Sequence, residues 1–167
     1  TLFPYTTLFR SGDRVLRGQL IAEPSGLGAN IHASYTGEVT AVTETDIVIK
    51  ADDKQNFDEY VKIPDTKTNL EAIAAAGVVG AGGAGFPTAV KLKTEIPQGC
   101  FIANCAECEP LLAHNIHQIE TDAAQLVRGV KYAMEITKAP KGYIAIKPKH
   151  KKAVIELIKA CRNEDNI

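Results

Sequence analysis

The 167-residue chain is 45% hydrophobic and 23% charged with a formal net charge of −1, the profile of an ordinary globular protein. Nineteen basic against twenty acidic residues leave no electrostatic footprint for a polyanion, and the lysine-rich stretch from Lys147 to Lys152 is too local to supply one, so nucleic acid is not expected as a partner. No apolar run reaches the roughly 18–20 residues of a membrane span, and the N-terminus lacks the charged start and cleavage site of a signal peptide; a cytoplasmic location is expected. Four cysteines in a chain of this size do not read as a disulfide scaffold, so reduced thiols are expected.

In chain order, residues 1–11 stand apart. TLFPYTTLFRS has no period and no cap, looks like a translated sequencing adaptor, and is set aside as a non-native leader. From Gly12 to Ala51 short alternating runs are punctuated by glycine, with turns expected near Gly12, Gly18 and Gly37; this reads as a small all-β unit. Residues 52–68 are polar, low in pattern and broken by Pro64, and are expected to be a linker. Asn69 can cap a short helix over Leu70–Ala76 that Gly77 ends. Cys100–Ala103 suits a buried strand. Thr121 or Asp122 can cap a long helix with Leu126, Val130, Ala133 and Met134 on one face. Lys141-Gly142 interrupts before a second buried strand over Tyr143–Ile146. Pro148 opens a last helix with Val154, Leu157, Ile158 and Cys161 inward. Strand, helix, strand, helix is the βαβ signature of a parallel sheet, so the fold class expected over 69–167 is α/β, α+β for the whole chain. The polar end at Arg162–Ile167 stops where another strand is expected, which reads as a truncation.

The densest chemical signal is Gly77-Val-Val-Gly-Ala-Gly-Gly-Ala-Gly-Phe-Pro-Thr88, five glycines in nine residues. Without Cβ atoms, backbone N–H groups can converge on an anion or a flat ring. Gly80-x-Gly82-x-x-Gly85 satisfies the dinucleotide fingerprint formally, yet it follows a helix-like segment, and Phe86-Pro87 stands where a P-loop needs lysine and Ser/Thr. Residue chemistry alone leaves a ligand cradle and a plain glycine turn both open. Cys105, Cys108, His114 and His117 form a set that zinc could accept, although the gap between the pairs is short for a finger. Cys105-Ala-Glu-Cys108 could also be a redox pair, but Glu107 and Glu109 oppose thiolate formation, which favours ordinary thiols. His32 and His150 read as surface residues.

Three segments together resemble a known family. Gly12 to Val42 resembles the barrel-sandwich fold of biotinyl and lipoyl carriers, but the hairpin Glu23–Asn30 has no lysine to acylate, so a structural or docking unit is expected. The glycine string followed by Val90-Lys91 is similar to the flavin loop of RnfC and of the NADH-binding flavoprotein subunit of respiratory complex I. Asn104-Cys-Ala-Glu-Cys-Glu-Pro110 resembles the corresponding stretch of the RnfC group, which includes the proline-reductase-associated PrdC. The complex I subunit has arginine where Ala81 stands and aspartate where Ala106 stands, and both differences point to the RnfC/PrdC branch.

The resemblance implies a barrel-sandwich domain over 12–51 and, over 69–167, the start of a Rossmann-like domain for FMN and NADH. It implies that the backbone of Gly80, Gly82, Gly83, Ala84 and Gly85 lines FMN, that Lys91 reaches the phosphate, and that Asn104 meets the isoalloxazine edge. Glu107 and Glu109 would face the nicotinamide nucleotide. The implied function is electron transfer from NADH through FMN toward 4Fe-4S clusters outside this stretch, which is not expected to be active alone. The implied partners are other subunits of an electron-transfer complex or a partner reductase, in the cytoplasm or peripheral on the cytoplasmic face of a membrane. A non-catalytic docking subunit with a degenerate flavin fold and a small zinc module are the alternatives.

Overall fold

A computed structural model describes residues 5–80, 84–108 and 112–167. The chain forms two compact units, Thr1–Lys91 and Leu92–Ile167, and each is described by itself.

The first unit is a β-sandwich. Tyr5–Thr7 (β1), Leu20–Pro24 (β3) and Ile31–His32 (β4) form one antiparallel sheet in the order β1-β3-β4; Arg14–Val15 (β2), Gly37–Val42 (β5) and Ile47–Ala51 (β6) form a second in the order β2-β5-β6. Alternation puts Val15, Ile21, Ala33 and Val39 in the core between them, with Phe9, Val42, Ile47 and Ile49 closing its margin. The exclusion of residues 1–11 from the fold is corrected here. Tyr5–Thr7 pairs with β3, and Phe9 packs on the core. The stretch 52–68 has no helix or strand, but its first half is tied down: Val61 N–H donates to the Arg17 carbonyl at 2.8 Å, and the Arg17 guanidinium lies 5.1 Å from the centre of the Phe57 ring.

Helix α1 spans Asn69–Ala75. Its cap is Thr68, one residue before the expected Asn69: extended Thr68 accepts from Glu71 N–H at 3.1 Å, and the Glu71 carboxylate accepts from Thr68 N–H at 3.3 Å. That reciprocal pair satisfies two orphan donors, which a lone asparagine cap does not. The helix ends as expected at Gly77, with φ +66, where Gly77 N–H reaches Ala74 O and Val78 N–H reaches Ile73 O. A four-residue helix α2, Thr88–Lys91, closes the unit.

The second unit is one βαβ crossover and a final helix. Cys100–Asn104 (β7) and Lys141–Ala145 (β8) pair in parallel, Asn104 opposite Ala145, joined through helix α3, His114–Thr137. Helix α4, Lys151–Ala160, follows. The helical stretch α3 is two segments meeting at non-helical Asp122 (φ −150, ψ 66), whose carboxylate accepts from Gln125 N–H at 3.0 Å. Asp122 is thus the expected cap of the second segment, while the first, from His114, escapes a sequence reading because it begins without a side-chain cap. Val130, Met134 and Ala139 pack on Phe101, Ala103 and Ile144; Ile116, Ile119 and Ala123 pack on Ala153 and Leu157 of α4.

Three further expectations need correction. The strands are not buried on both faces, since Ile102 and Tyr143 are 57% and 51% exposed: among the described residues helices cover one face of the pair only. Lys141-Gly142 does not interrupt but lies inside β8, where a Cβ on Gly142 would sit 2.5 Å from Met134 Sδ, so glycine is there for helix contact. Ile158 is 67% exposed, and the inward stripe of α4 runs through Ala153 and Leu157.

Gly77 combines left-handed backbone with a close approach, because a Cβ there would overlap the Asn30 carbonyl, while the Asn30 amide donates to Ala75 O at 3.3 Å. Gly77→Ala is therefore expected to destabilise the first unit by at least about 2 kcal/mol, read as a lowered denaturation midpoint.

Candidate functional site

The chemistry-bearing segments are two loops, one in each unit. In the first unit the chain leaves α1 through Gly77 and doubles back: Val79 and Pro87 form an antiparallel bridge, Gly80 N–H donates to Phe86 O at 3.0 Å, and Thr88 N–H donates to Val78 O at 2.9 Å. These bonds pinch the two arms of the glycine loop together, and Gly85 turns it with φ +65. Gly82 and Gly83, like Ala81, lie outside the described residues; Ala84 and Gly85 are exposed at the loop's far arm. Lys91, in the last turn of α2, reaches back over the pinch, and its Nζ lies 4.0 Å from where a Cβ on Gly80 would stand.

The glycines fall into two kinds. At Gly77 a Cβ would collide with the Asn30 backbone carbonyl and φ is positive, so the fold itself requires glycine; at Gly142 it would press on the flexible end of the Met134 side chain. At Gly80 the nearest described atoms to such a Cβ are 3.8–4.0 Å away and φ is not positive, so neither packing nor backbone conformation demands glycine there. The missing side chain leaves space beside a half-buried backbone and an ammonium. That combination suits a phosphorylated planar ligand: N–H donors and a point charge for the phosphate, and a Cβ-free surface for a ring.

In the second unit, the loop 104–108 leaves the carboxyl end of β7. Cys105 N–H donates to Ala145 O at 2.8 Å, carrying the ladder one residue past the strand. The Asn104 Oδ1 accepts from Ala106 N–H at 3.1 Å, so this oxygen shapes the turn and its amide group stays at the exposed end of the strand. Glu107 is fixed twice: its carboxylate accepts from Asn115 Nδ2 at 2.9 Å and its carbonyl from Lys147 Nζ at 2.5 Å. Glu109 lies outside the described residues. Neither Asn115 nor Lys147 stands out in the sequence. The available signal is position, because Lys147 follows shortly after β8 at the carboxyl edge of a parallel pair, where open α/β sheets place ligand loops.

The cysteines separate by strand parity. Phe101, Ala103 and Cys105 alternate onto the helix-covered face, so Cys105 packs against the Ile116 cluster, and burial pushes its thiol above the ordinary value. Cys108 is exposed and its Sγ lies 3.2 Å from Ala106 O. Among the described residues no three His, Cys, Asp or Glu side chains gather as a metal site. His150, expected at the surface, is half-buried, and its Nε2 makes no hydrogen bond among the described residues. Leu112, between the cysteine and histidine pairs, is exposed.

A sandwich unit followed by a glycine loop and a βαβ unit defines a class, proteins that join a barrel-sandwich domain to a domain of the FMN-binding family. Residues 3–63 match the RnfC barrel sandwich hybrid domain and residues 73–167 the Nuo51 FMN-binding domain. The chain belongs to the RnfC family, with these two domains in this order. It is 35% identical to a subunit of the Na(+)-translocating ferredoxin:NAD(+) oxidoreductase complex of Acetobacterium woodii, over 98% of this chain and 41% of that protein. It is 33% identical to the proton-translocating counterpart of Clostridium ljungdahlii over 94% of this chain and 38% of that one, and 51% identical to the cobalamin reductase PduS of Salmonella typhimurium over 50% and 18%. The chain therefore spans less than half the length of these relatives. Among the described residues no helix is long and apolar enough to cross a membrane.

The thiols supply a direct check on the loop geometry. Cys100 and Cys108 are expected to be alkylated well before Cys105 at mildly alkaline pH, followed by mass spectrometry of timed samples. Because burial raises the Cys105 thiol in the folded state only, the unfolded chain ionises first; the stability this thiol contributes is present below the ordinary thiol value and falls as pH rises through and above it.

Proposed function

We propose that the chain binds FMN through the glycine loop and Lys91, and that it serves in electron transfer from NADH toward iron-sulfur centres carried elsewhere in the assembly. The observation that carries this reading is Gly80: no described contact and no positive φ requires glycine there, and the Lys91 ammonium lies 4.0 Å from the position its Cβ would take. The match to an FMN-binding domain family over 73–167 supports the same ligand. The backbone of Gly80–Gly85 would take the phosphate and ring edge, with Lys91 as counter-charge. In the second unit, Asn104, Glu107 and Glu109 are proposed, on the family resemblance, as nucleotide-facing residues. Bound FMN supplies the change from a two-electron hydride donor to one-electron acceptors, and the protein supplies position and charge.

NADH as donor is supported by relatives whose names include NAD(+) as a reaction partner. Those names also describe parts of ion-translocating complexes, so partner subunits of such a complex, at the cytoplasmic face of a membrane, are the assembly proposed here.

Purified protein is expected to carry, or to take up, FMN with the absorption bands of oxidised flavin. A colourless protein that resists reconstitution would instead favour the docking-subunit reading, and stoichiometric zinc the metal-module reading. Lys91→Met should raise the dissociation constant for FMN by about tenfold or more, the worth of one charge-assisted hydrogen bond. Gly80→Val should abolish FMN binding while leaving the melting temperature nearly unchanged, in contrast to Gly77→Ala. Fluorescence titration with FMN, run beside thermal melting, separates the two glycine variants.

A further inference from the structure

We propose that the face of the first unit formed by Leu16 and the segment from Phe57 to Val61 is a docking site for a partner protein, and that it takes a segment of that partner in which lysine or arginine stands next to an apolar side chain. The inference lies entirely within the first unit and is independent of the flavin reading above.

This segment has neither helix nor strand, yet it is fastened to the sandwich at successive points. The Gln55 side chain brackets Thr36: its Oε1 accepts from Thr36 N–H at 3.1 Å and its Nε2 donates to Thr36 O at 2.9 Å. The Arg17 guanidinium donates to the Phe57 carbonyl and lies 5.1 and 6.0 Å from the centres of the Phe57 and Tyr60 rings, while Tyr35 meets Phe57 edge-on at 6.2 Å. Further on, the Val61 carbonyl presses on Gly18, where φ is +78 and a Cβ would overlap it. Ordering a backbone costs conformational entropy, and here the order serves no core. Leu16, Tyr35, Phe57, Tyr60 and Val61 all stay exposed, Phe57 at 56% and Tyr60 at 54%. The fold gains little from aromatic rings held in water, whereas a surface ordered beforehand loses no further freedom when a partner settles on it.

Charge selects the partner. Asn56 makes a turn in which its Oδ1 accepts from Asp58 N–H at 3.1 Å and its carbonyl from Glu59 N–H at 3.3 Å, which sets two carboxylates in succession just before Tyr60. Both line a cavity of about 470 Å³ together with Leu16, Tyr60 and Val61. The other charges at its wall are Asp52, held at two points by the Arg14 guanidinium, and Lys54. Among the described residues Asp58, Glu59 and Lys54 have no ion-pair partner, so the wall keeps an excess of negative charge. An apolar, aromatic cleft with carboxylates at its wall complements a side chain that has an apolar stem and a cationic head, with an apolar neighbour to cover Leu16 and Val61. An acidic segment meets like charge in the same place.

The test uses the whole chain and three acetylated, amidated peptides: one alternating leucine with lysine, one with glutamate in place of lysine, and one with serine in place of leucine. Binding is followed by backbone amide NMR shifts, beside thermal melting and sedimentation of the chain alone. The leucine–lysine peptide is expected to bind saturably and to shift the amides of Asp58, Glu59 and Tyr60, with the other two at least about fivefold weaker. Asp58→Asn/Glu59→Gln, at two exposed positions, should melt near wild type and bind that peptide about fivefold or more weakly, and added salt should weaken its binding to wild type. Leu16→Ser should lower the affinity at unchanged charge. The inference is overturned if the leucine–lysine peptide does not bind, if the glutamate peptide binds as well, if the shifts fall outside this face, or if the double variant binds as wild type does. It is also overturned if wild type sediments as a dimer that Leu16→Ser disperses, since a second copy is then the occupant.

Discussion

The in-register parallel pairing of β7 with β8 is the constraint on which the second unit depends. It sets Asn104 beside Ala145, so the loops leaving both strands start from adjacent points on one sheet edge. A parallel pair cannot be closed by a tight turn and needs a long crossover, which α3 provides. Once the two carboxyl ends are neighbours, Cys105 can extend the ladder to Ala145, and a lysine placed just beyond β8 can reach a carbonyl just beyond β7. A slip of one residue would move Phe101, Ala103 and Ile144 off the α3 face and separate these groups together.

Element existence is legible in the sequence because it rests on period. The alternating runs between Gly12 and Ala51 mark the sandwich strands, and the stripe through Val130, Ala133 and Met134 marks the main helix. The misreadings have local causes. Thr68 takes the α1 cap from Asn69 because Glu71 can answer it three residues on, a reciprocal arrangement visible in the string Thr-Asn-Leu-Glu. Lys141-Gly142 looks like a break because glycine usually marks one, whereas here it admits the Met134 side chain against the strand. Periodicity assigns Ile158 inward, but the inward stripe of α4 runs through Ala153 and Leu157, and Ala153 is the fully buried member. The edge strand Tyr5–Thr7 is lost when its segment is set aside on the look of its letters, because pairing with β3 through backbone hydrogen bonds leaves no period in the side chains.

For the candidate site, the sequence can nominate residues but not their engagement. Asn104 is assigned to a ring edge as though both ends of its amide were available, and the turn at Ala106 uses the oxygen. Cys105 and Cys108 read as a pair because their spacing is that of a redox or metal motif. Strand parity divides them, one thiol packed on the Ile116 cluster and the other at the surface. The parity of Phe101, Ala103 and Cys105 is present in the sequence, and a strand carried one residue further assigns Cys105 to the core.

Gly77, Gly80 and Gly142 show why a glycine-rich string is ambiguous until its surroundings are known. Gly77 is required by an αL cap pressed on the Asn30 carbonyl, while at Gly142 the close neighbour is the flexible end of the Met134 side chain. Gly80 is required by neither its backbone conformation nor a described contact, which is equally true of Gly26 and Gly129; what sets it apart is the Lys91 ammonium 4.0 Å from the position its Cβ would take. The Schellman ending of α1 delivers the chain to this point, the bridge of Val79 with Pro87 holds it, and the Lys91 ammonium stands over it. The hydrogen-bonded arms of the loop thus hold Gly80 beside an ammonium, which is the expected division of labour when a backbone is shaped for a ligand.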